Sequence, residues 1–278
     1  MPDAAVLAGS SVAGVLREAT ALLADSDTPR LDAELLLAFA RGVSRERLVI
    51  DAGSELAASQ LDAFHALLSR RMAHEPVAYI LGRKEFRRIT LGVDPRVLIP
   101  RPETELLVEV GLTLPRGASV VDVGTGSGAV ALALKDERSD LSVWATDVDP
   151  RALEVARANG IHLGSEVEFV EADLLDSPRL PARPDAVLAN LPYVAAGVDL
   201  PADVAGYEPA GALFAGEDGL DVIRRLIDAL PRDLRLVALE VGFDQARTVA
   251  SLLARSRTNS IELVRDLAGH ERVVVGRR

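Results

Sequence analysis

Cysteine is absent from the 278 residues. That excludes a disulfide framework, a thiolate zinc site and a thiol nucleophile, and it fits a reducing compartment. Histidine is scarce. His65, His74, His162 and His270 are scattered and form no paired ligand spacing, so no metal site is expected. Aromatic residues make up only 4% of the chain, so a core has to be built mainly from Leu, Val and Ala. No apolar run approaches the ~20 residues that a membrane-spanning helix needs. No basic cluster precedes an apolar stretch at the start of the chain, and no secretory leader is expected. These absences together predict a cytoplasmic protein without a membrane span.

Positive charge is also in short supply, since the formal net charge is −11. The average field repels a phosphate backbone, which counts against a dedicated nucleic-acid binder. Arg70, Arg71, Arg83, Lys84, Arg87 and Arg88 form a local basic excess, which reads first as a solvated face. Apolar residues are plentiful at 49%, enough for a sizeable core and against disorder. The length suits one large domain or two ordinary ones.

The pattern changes twice along the chain. Val12, Val15, Leu16, Ala19, Leu22 and Leu23 recur at helical spacing. So do Leu31, Leu35, Leu36 and Phe39, and then Leu61, Phe64, Leu67, Leu68 and Met72. Residues 1–76 therefore read as a small helical bundle, a place to grip a partner. Residues 77–100 alternate apolar and polar positions between Gly82, Gly92 and Pro95, and read as a linker of one or two hairpins. Pro102, followed by Glu103 and Glu105, signals a helix start. From there residues 101–278 alternate strand and helix. Ser119–Val123, Ser142–Thr146, Val167–Glu171, Asp185–Ala189 and Leu234–Glu240 read as strands of a mainly parallel α/β sheet covered on both faces. Ile261–Asp266 and Arg272–Arg277 are too closely spaced for a crossover, so they predict a closing antiparallel pair.

Four features fall in order on that sheet. Gly124, Thr125, Gly126, Ser127 and Gly128 follow the first strand directly and open a helix. Such a turn lets a ligand approach the backbone, although the GxGxG spacing departs from the dinucleotide fingerprint and a tight strand-to-helix turn would need glycine too. Asp147 ends the second strand, where an acid accepts the hydroxyls of an adenosine ribose. Its other reading is a helix N-cap, a role that Asp149, just before Pro150, fills better. Asp173 and Leu174 follow the third strand. They could meet an adenine edge and face, or simply form a loop. Asn190-Leu191-Pro192-Tyr193 ends the fourth strand, where asparagine is either a turn residue or a hydrogen-bond acceptor. Arg101 and Glu103 either line the site or hold the linker to the core.

This order resembles class I S-adenosylmethionine-dependent methyltransferases, with their Rossmann-like sheet. More narrowly, the chain resembles the release-factor glutamine methyltransferases of the HemK/PrmC family. The segments that carry the resemblance are "EPVAYILGRKEF", "VLIPRPETELLV", "DVGTGSGAVAL", "NLPY", "YEPAGALFAGEDGLD" and "RDLAGHERVVVGR". The resemblance implies S-adenosylmethionine as cofactor and a monomeric enzyme. It implies methylation of the glutamine amide in the Gly-Gly-Gln loop of peptide chain release factors. By the same resemblance Asn190, Leu191, Pro192 and Tyr193 hold the acceptor and carry the catalysis, joined at the acceptor site by Arg101 and Glu103. Gly124 to Gly128, Asp147, Asp173, Leu174 and Asn190 then hold the cofactor. An amide nitrogen is a poor nucleophile, and a site that accepts hydrogen bonds from its N–H groups both orients it and favours the charge that develops on attack. The departure is Leu191, where that family has proline. Asn-Leu-Pro-Tyr is the form of ribosomal RNA adenine dimethylases, which lack "IPRPETE". Leu191 therefore keeps open another acceptor, a nucleic-acid base or a small-molecule nitrogen, and more remotely a binding protein without turnover.

Overall fold

The computed structural model describes residues 11–256 and 258–278. The expectation about a leader concerns residues 1–10 and lies outside the described residues. In chain order the first elements are α1 (Val12–Leu22), α2 (Pro29–Arg41), α3 (Arg45–Ile50), α4 (Ala58–Met72), α5 (Val77–Leu81), β1 (Arg83–Phe86) and β2 (Ile89–Gly92). Then come α6 (Glu105–Leu112), β3 (Ser119–Val123), α7 (Ala129–Glu137), β4 (Ser142–Asp147), α8 (Pro150–Leu163), β5 (Val167–Glu171) and β6 (Ala186–Ala189). The chain closes with α9 (Ala202–Tyr207), α10 (Asp221–Ala229), β7 (Leu236–Glu240), α11 (Ala246–Arg255), β8 (Ser260–Arg265) and β9 (Glu271–Arg277). The chain forms two units, Met1–Gly82 with Pro201–Tyr207, and Arg83–Leu200 with Glu208–Arg278. Among the described residues no helix is long and apolar enough to cross a membrane.

In the helical unit local signals set the helix ends. The Ser11 side chain accepts from the Gly14 N–H at the start of α1. Pro29 opens α2, and Gly42, at φ 65°, closes it. The apolar stripes meet in a core that includes Val15, Leu36, Leu37, Phe64 and Leu68. One polar knot is buried with them. Asp32 accepts from the Ser26 hydroxyl at 2.7 Å, the Thr28 hydroxyl at 2.8 Å and the Arg71 guanidinium at 2.8 Å. It ties the start of α2 to the end of α4.

The unit extends beyond the bundle expected from the sequence in two places. Residues 77–81 form a helix rather than the start of a linker hairpin. Pro76 precedes it, Gly82 ends it in the left-handed region, and Tyr79 and Ile80 are buried. A five-residue apolar run has no usable period, so "VAYIL" reads as either strand or helix. The second addition, α9, comes from far along the chain. Asp203 pairs with Arg71, and the Tyr207 hydroxyl donates to the Ala73 carbonyl at 2.7 Å.

The second unit is built on a seven-stranded sheet of order β5-β4-β3-β6-β7-β9-β8. β5, β4, β3, β6 and β7 run parallel; β9 is antiparallel to both of its neighbours, as expected of the closing pair. Alternate residues of each strand face opposite layers. Val120, Leu188 and Ala238 belong to the core beneath α6 and α7, while Val121, Val187 and Val237 belong to the core beneath α10 and α11. The chain lays β4 and β5 to one side of β3, then returns to lay β6 and β7 on the other. The carboxyl ends of β3 and β6 thus flank a topological switch point, where α/β sheets bind ligands. A single hairpin, β1–β2, precedes the sheet, and its Phe86, Ile89 and Leu91 are part of this unit's core. Residues 93–100 form no second hairpin. Much of the basic excess is paired within its own unit: Arg70 with Glu75, Arg71 with Asp32, and Arg87 with Glu137.

Removing the Asp32 carboxylate leaves the largely covered Arg71 guanidinium with only the longer contact to Asp203. Asp32→Ala is expected to destabilise the helical unit by about 3 kcal/mol. Urea denaturation followed by far-UV circular dichroism measures it, and an unchanged midpoint would contradict the role assigned to the knot.

Candidate active site

A cavity of about 830 Å³ opens at the carboxyl ends of β3, β4 and β6. Its floor is the glycine turn. Gly124, Gly126 and Gly128 all have positive φ, at 72°, 56° and 86°. The Thr146 carbonyl at the end of β4 accepts from the N–H groups of Gly124 at 2.9 Å and Thr125 at 2.8 Å. Asp122, buried at the end of β3, accepts from the Thr125 hydroxyl at 2.6 Å and the Ala131 N–H at 3.2 Å. The turn and the first turn of α7 therefore hang on one carboxyl group. Burial pushes that carboxyl up to about 7 against those hydrogen bonds. Gly124, Thr125, Gly126 and Ser127 line the cavity. Gly128 does not; a Cβ there would stand 2.8 Å from Leu132, so its work is to pack the turn against the helix.

The expected acids border the same cavity. Asp147 accepts from the Gly126 N–H at 2.9 Å and the Asp149 N–H at 3.0 Å, which joins β4 to the glycine turn. Burial raises its pKa above the usual carboxylate range, opposed by those backbone bonds. Asp149 accepts from the Arg151 N–H and caps α8 ahead of Pro150. The capping role thus falls to Asp149. Asp173 also lines the cavity, but its carboxylate is engaged by Arg225 at 2.6 Å. Leu174 lines it with φ at 56°, a conformation costing a branched residue roughly 1–2 kcal/mol. The Thr146 hydroxyl offsets part of that cost by donating to the Leu174 carbonyl at 3.0 Å.

Asn190, Leu191 and Pro192 form the wall beyond β6. The Asn190 Nδ2 donates to the Thr104 hydroxyl oxygen at 3.0 Å, and its Oδ1 accepts from no group among the described residues. Leu191 is 4% exposed and packs with the core that includes Val123 and Val241. Its Cδ2 would stand 2.9 Å from a Cβ at Gly124. Tyr193 lies outside the cavity lining and is partly buried. Burial and then the Glu240 charge push its hydroxyl up to about 12, so it stays protonated. Its carbonyl accepts from Gln245 Nε2 at 2.8 Å. The same Nε2 reaches the Asp218 carbonyl at 3.2 Å, while Gln245 Oε1 accepts from the Gly242 N–H at 2.9 Å. One side chain thus clips three loops together.

Arg101 and Glu103 do not line the cavity. Arg101 pairs with buried Glu208, whose other oxygen accepts from the Ile99 N–H at 3.1 Å. Arg101 therefore secures the segment 95–100, which forms one cavity wall, against the loop at 209–212, which forms another. Glu103 acts through its charge on Tyr193 and Glu240. Several residues that shape the site carried no assigned role in the sequence. Thr104 stands inside "IPRPETE" and Asp122 heads the glycine turn, so their positions were visible signals. Glu208 stands inside "YEPAGALFAGEDGLD", whereas Gln245 and Glu240 are isolated polar residues that no local pattern marks.

Sheet order, glycine turn, strand-end acid and Asn-x-Pro-Tyr wall together define a class I methyltransferase. Solved structures agree on the fold. A methyltransferase from Pyrococcus furiosus aligns with a TM-score of 0.52 at 17% identity, covering 67% of this chain and 87% of its own. The ribosomal RNA methyltransferase RsmC of Thermus thermophilus, solved with AdoMet and guanosine, aligns with a TM-score of 0.52 at 16% identity, covering 70% of this chain and 49% of its own. The family profile "PrmC N-terminal domain" matches residues 14–82, and "Methyltransferase small domain" matches residues 102–205. A release factor glutamine methyltransferase of Neisseria gonorrhoeae is 40% identical over 258 residues, 91% of this chain and 94% of that protein. Its counterpart from Mycolicibacterium smegmatis is 40% identical over 274 residues, 95% of this chain and 96% of that protein. The chain belongs to the release factor glutamine methyltransferase family.

Gly219 has φ 75°, and a Cβ there would lie 2.2 Å from the Tyr193 carbonyl oxygen. Gly219→Ala is expected to cost about 3 kcal/mol or more, because backbone rather than a flexible side chain stands in the way. A thermal melt that matches the wild-type curve would show that the loops yield instead.

Proposed function

We propose that the protein transfers a methyl group from S-adenosylmethionine to the side-chain amide nitrogen of a glutamine, in the Gly-Gly-Gln loop of peptide chain release factors. The observation that carries this reading is Asn190. It borders the cavity with its NH2 committed to Thr104, which leaves its oxygen as the acceptor available to an incoming amide.

The residues present fit the cofactor. Gly124 to Ser127 supply a backbone floor with no Cβ at its closest points. Asp147 keeps lone pairs beyond those used by Gly126 and Asp149, suited to the ribose hydroxyls. Leu174 offers an apolar contact to the adenine ring, and Asp173 an acceptor shared with Arg225. Bound there, the cofactor supplies a methyl group on a sulfonium, an electrophile that needs no metal.

The remaining work falls to the wall beyond β6. The Asn190 oxygen and the Leu191 carbonyl accept from the two N–H groups of the glutamine amide. This fixes the nitrogen and stabilises positive charge as it develops. Pro192 holds the turn at a fixed φ. Tyr193, outside the cavity lining, steadies the turn through its carbonyl, which accepts from Gln245 Nε2. The N–H proton becomes acidic as the new bond forms, so no strong base is required beforehand. The helical unit is the expected grip on the release factor, and a cytoplasmic monomer goes with this reading. A different planar nitrogen as acceptor draws only on Leu191. That side chain is turned into the core beside Gly124, which gives the second reading no support from the acceptor side.

Incubation with labelled S-adenosylmethionine and a release factor, followed by peptide mass mapping, is expected to place one methyl on the Gly-Gly-Gln glutamine. Label on RNA or small molecules but not on the release factor would overturn the assignment. Asn190→Ala is expected to keep cofactor binding by calorimetry while losing transfer by a factor of about 100 or more. Asp147→Ala is expected to do the reverse, weakening cofactor binding by roughly tenfold or more through lost charge-assisted bonds.

A further inference from the structure

The glycine turn is held residue by residue. Asp122 receives the Thr125 hydroxyl, Asp147 receives the Gly126 N–H, and the carbonyl of the next residue, Ser127, is bound by Asn159 Nδ2 at 2.9 Å. The reaction as described makes no use of Asn159. It stands on α8, whose buried face is otherwise apolar, with Ala152, Leu153, Val155, Ala156 and Gly160. An amide placed there is costly unless its hydrogen bonds are made. Asn159 is 5% exposed and uses both of its donors and its oxygen. Besides Ser127, its Nδ2 donates to the Gly92 carbonyl at 3.0 Å, and its Oδ1 accepts from the Gly92 N–H at 2.7 Å. Turning the amide over would set N–H against N–H and oxygen against oxygen, so its orientation is fixed.

These bonds join two sides of one cavity. Gly92 closes β2, and the chain that leaves it forms the wall carrying Pro95, Val97 and Leu98. Ser127 belongs to the floor. We propose that Asn159 is a positioning residue for the cofactor: by binding Ser127 and Gly92 at once, it fixes the separation of the glycine floor from the 93–100 wall, and so the width of the S-adenosylmethionine site. The inference rests on the reading of this cavity as the cofactor site.

The same helix offers the wall a second anchor, Glu154, which pairs with Arg96 at 2.9 Å. Both side chains of that pair are exposed, at 41% and 64%, and Arg96 is already held by Asp94 at 2.7 Å. Water and a competing carboxylate therefore weaken it. The far end of the wall is secured separately, by Glu208 at the Ile99 N–H. The near end is left to the buried amide at Gly92. The acceptor wall has supports of its own, Thr104 at Asn190 and Gln245 at Tyr193. Loss of Asn159 thus acts on cofactor affinity and not on the transfer step.

Calorimetric titration with S-adenosylmethionine, beside steady-state kinetics with purified release factor, tests this. Asn159→Leu is of similar size and removes every hydrogen bond. Asn159→Asp keeps an acceptor for the Gly92 N–H and loses both donors. Each is expected to weaken cofactor binding, and to raise the KM for S-adenosylmethionine, by about tenfold or more. Meanwhile kcat at saturating cofactor stays within about threefold and the KM for the release factor within about twofold. A loss of folded protein alone would lower kcat and leave both KM values in place, so the split separates positioning from a merely structural role. Asn159→Asp decides the matter if Asn159→Leu does not fold. Cofactor affinity within about twofold of wild type in a folded variant would overturn the inference, as would a lower kcat with an unchanged KM for S-adenosylmethionine. Asp147→Ala, measured alongside, keeps the two readings apart. If it loses affinity and the Asn159 variants do not, the cavity remains the cofactor site and the inference alone fails. If Asp147→Ala binds like wild type, the reading of the cavity fails instead.

Discussion

A primary amide can turn either its oxygen or its NH2 toward a ligand, and the two ends differ little in size. In the structure Asn190 turns its NH2 to the Thr104 hydroxyl oxygen and so presents its oxygen on the other side. Everything asked of the acceptor wall depends on that choice, because an acceptor amide brings only donors on its nitrogen. The bond in turn depends on tertiary structure. Thr104 closes a short 3-10 segment that begins at Pro102, ahead of α6, and Asn190 stands just past β6. The sheet order that puts β6 beside β3, with α6 packed over them, is what lets these distant residues meet.

The cofactor side follows a different logic. There the structure holds backbone, not a side chain, in an uncommon geometry. Three left-handed glycines form the turn, and two acids, buried Asp122 and half-buried Asp147, hold it by accepting from its N–H and hydroxyl groups. Both acids lie outside the usual carboxylate range because burial disfavours their charge. Placing charge where it is costly is consistent with a site that must meet polar ligand groups already oriented. The Arg101–Glu208 pair does similar work for the walls, and this is where Arg101 proves to be a support rather than a lining residue.

Most of the sheet was legible in the sequence because parallel strands buried on both faces are near-continuous Val, Leu and Ala runs. Ser119–Val123 and Val167–Glu171 occur with the bounds expected of them. The helical bundle was legible from its period. Two things were not. "VAYIL" is too short to carry a period, and its helix is fixed by Pro76 and Gly82 together with burial of Tyr79 and Ile80. Residues 201–207 belong to the helical unit through Asp203 with Arg71 and Tyr207 with Ala73, pairings that no local pattern encodes. In the site, residues with motif spacing were legible: Gly124 to Ser127, Asp147, Leu174 and Asn190 do border one cavity. The supports Thr104 and Gln245 were not assigned, since a supporting residue is defined by what lies across from it.

Leu191 and Gly124 sit in different motifs, yet the Leu191 methyl fills the space a Cβ at 124 would need. The acceptor motif and the cofactor motif are therefore not independent letters of the sequence. A bulkier residue at 191 would press on the floor that receives the cofactor, and the tolerance of each position depends on what occupies the other. Attempts to retarget the acceptor with a larger side chain at 191 would first alter the grip on the methyl donor.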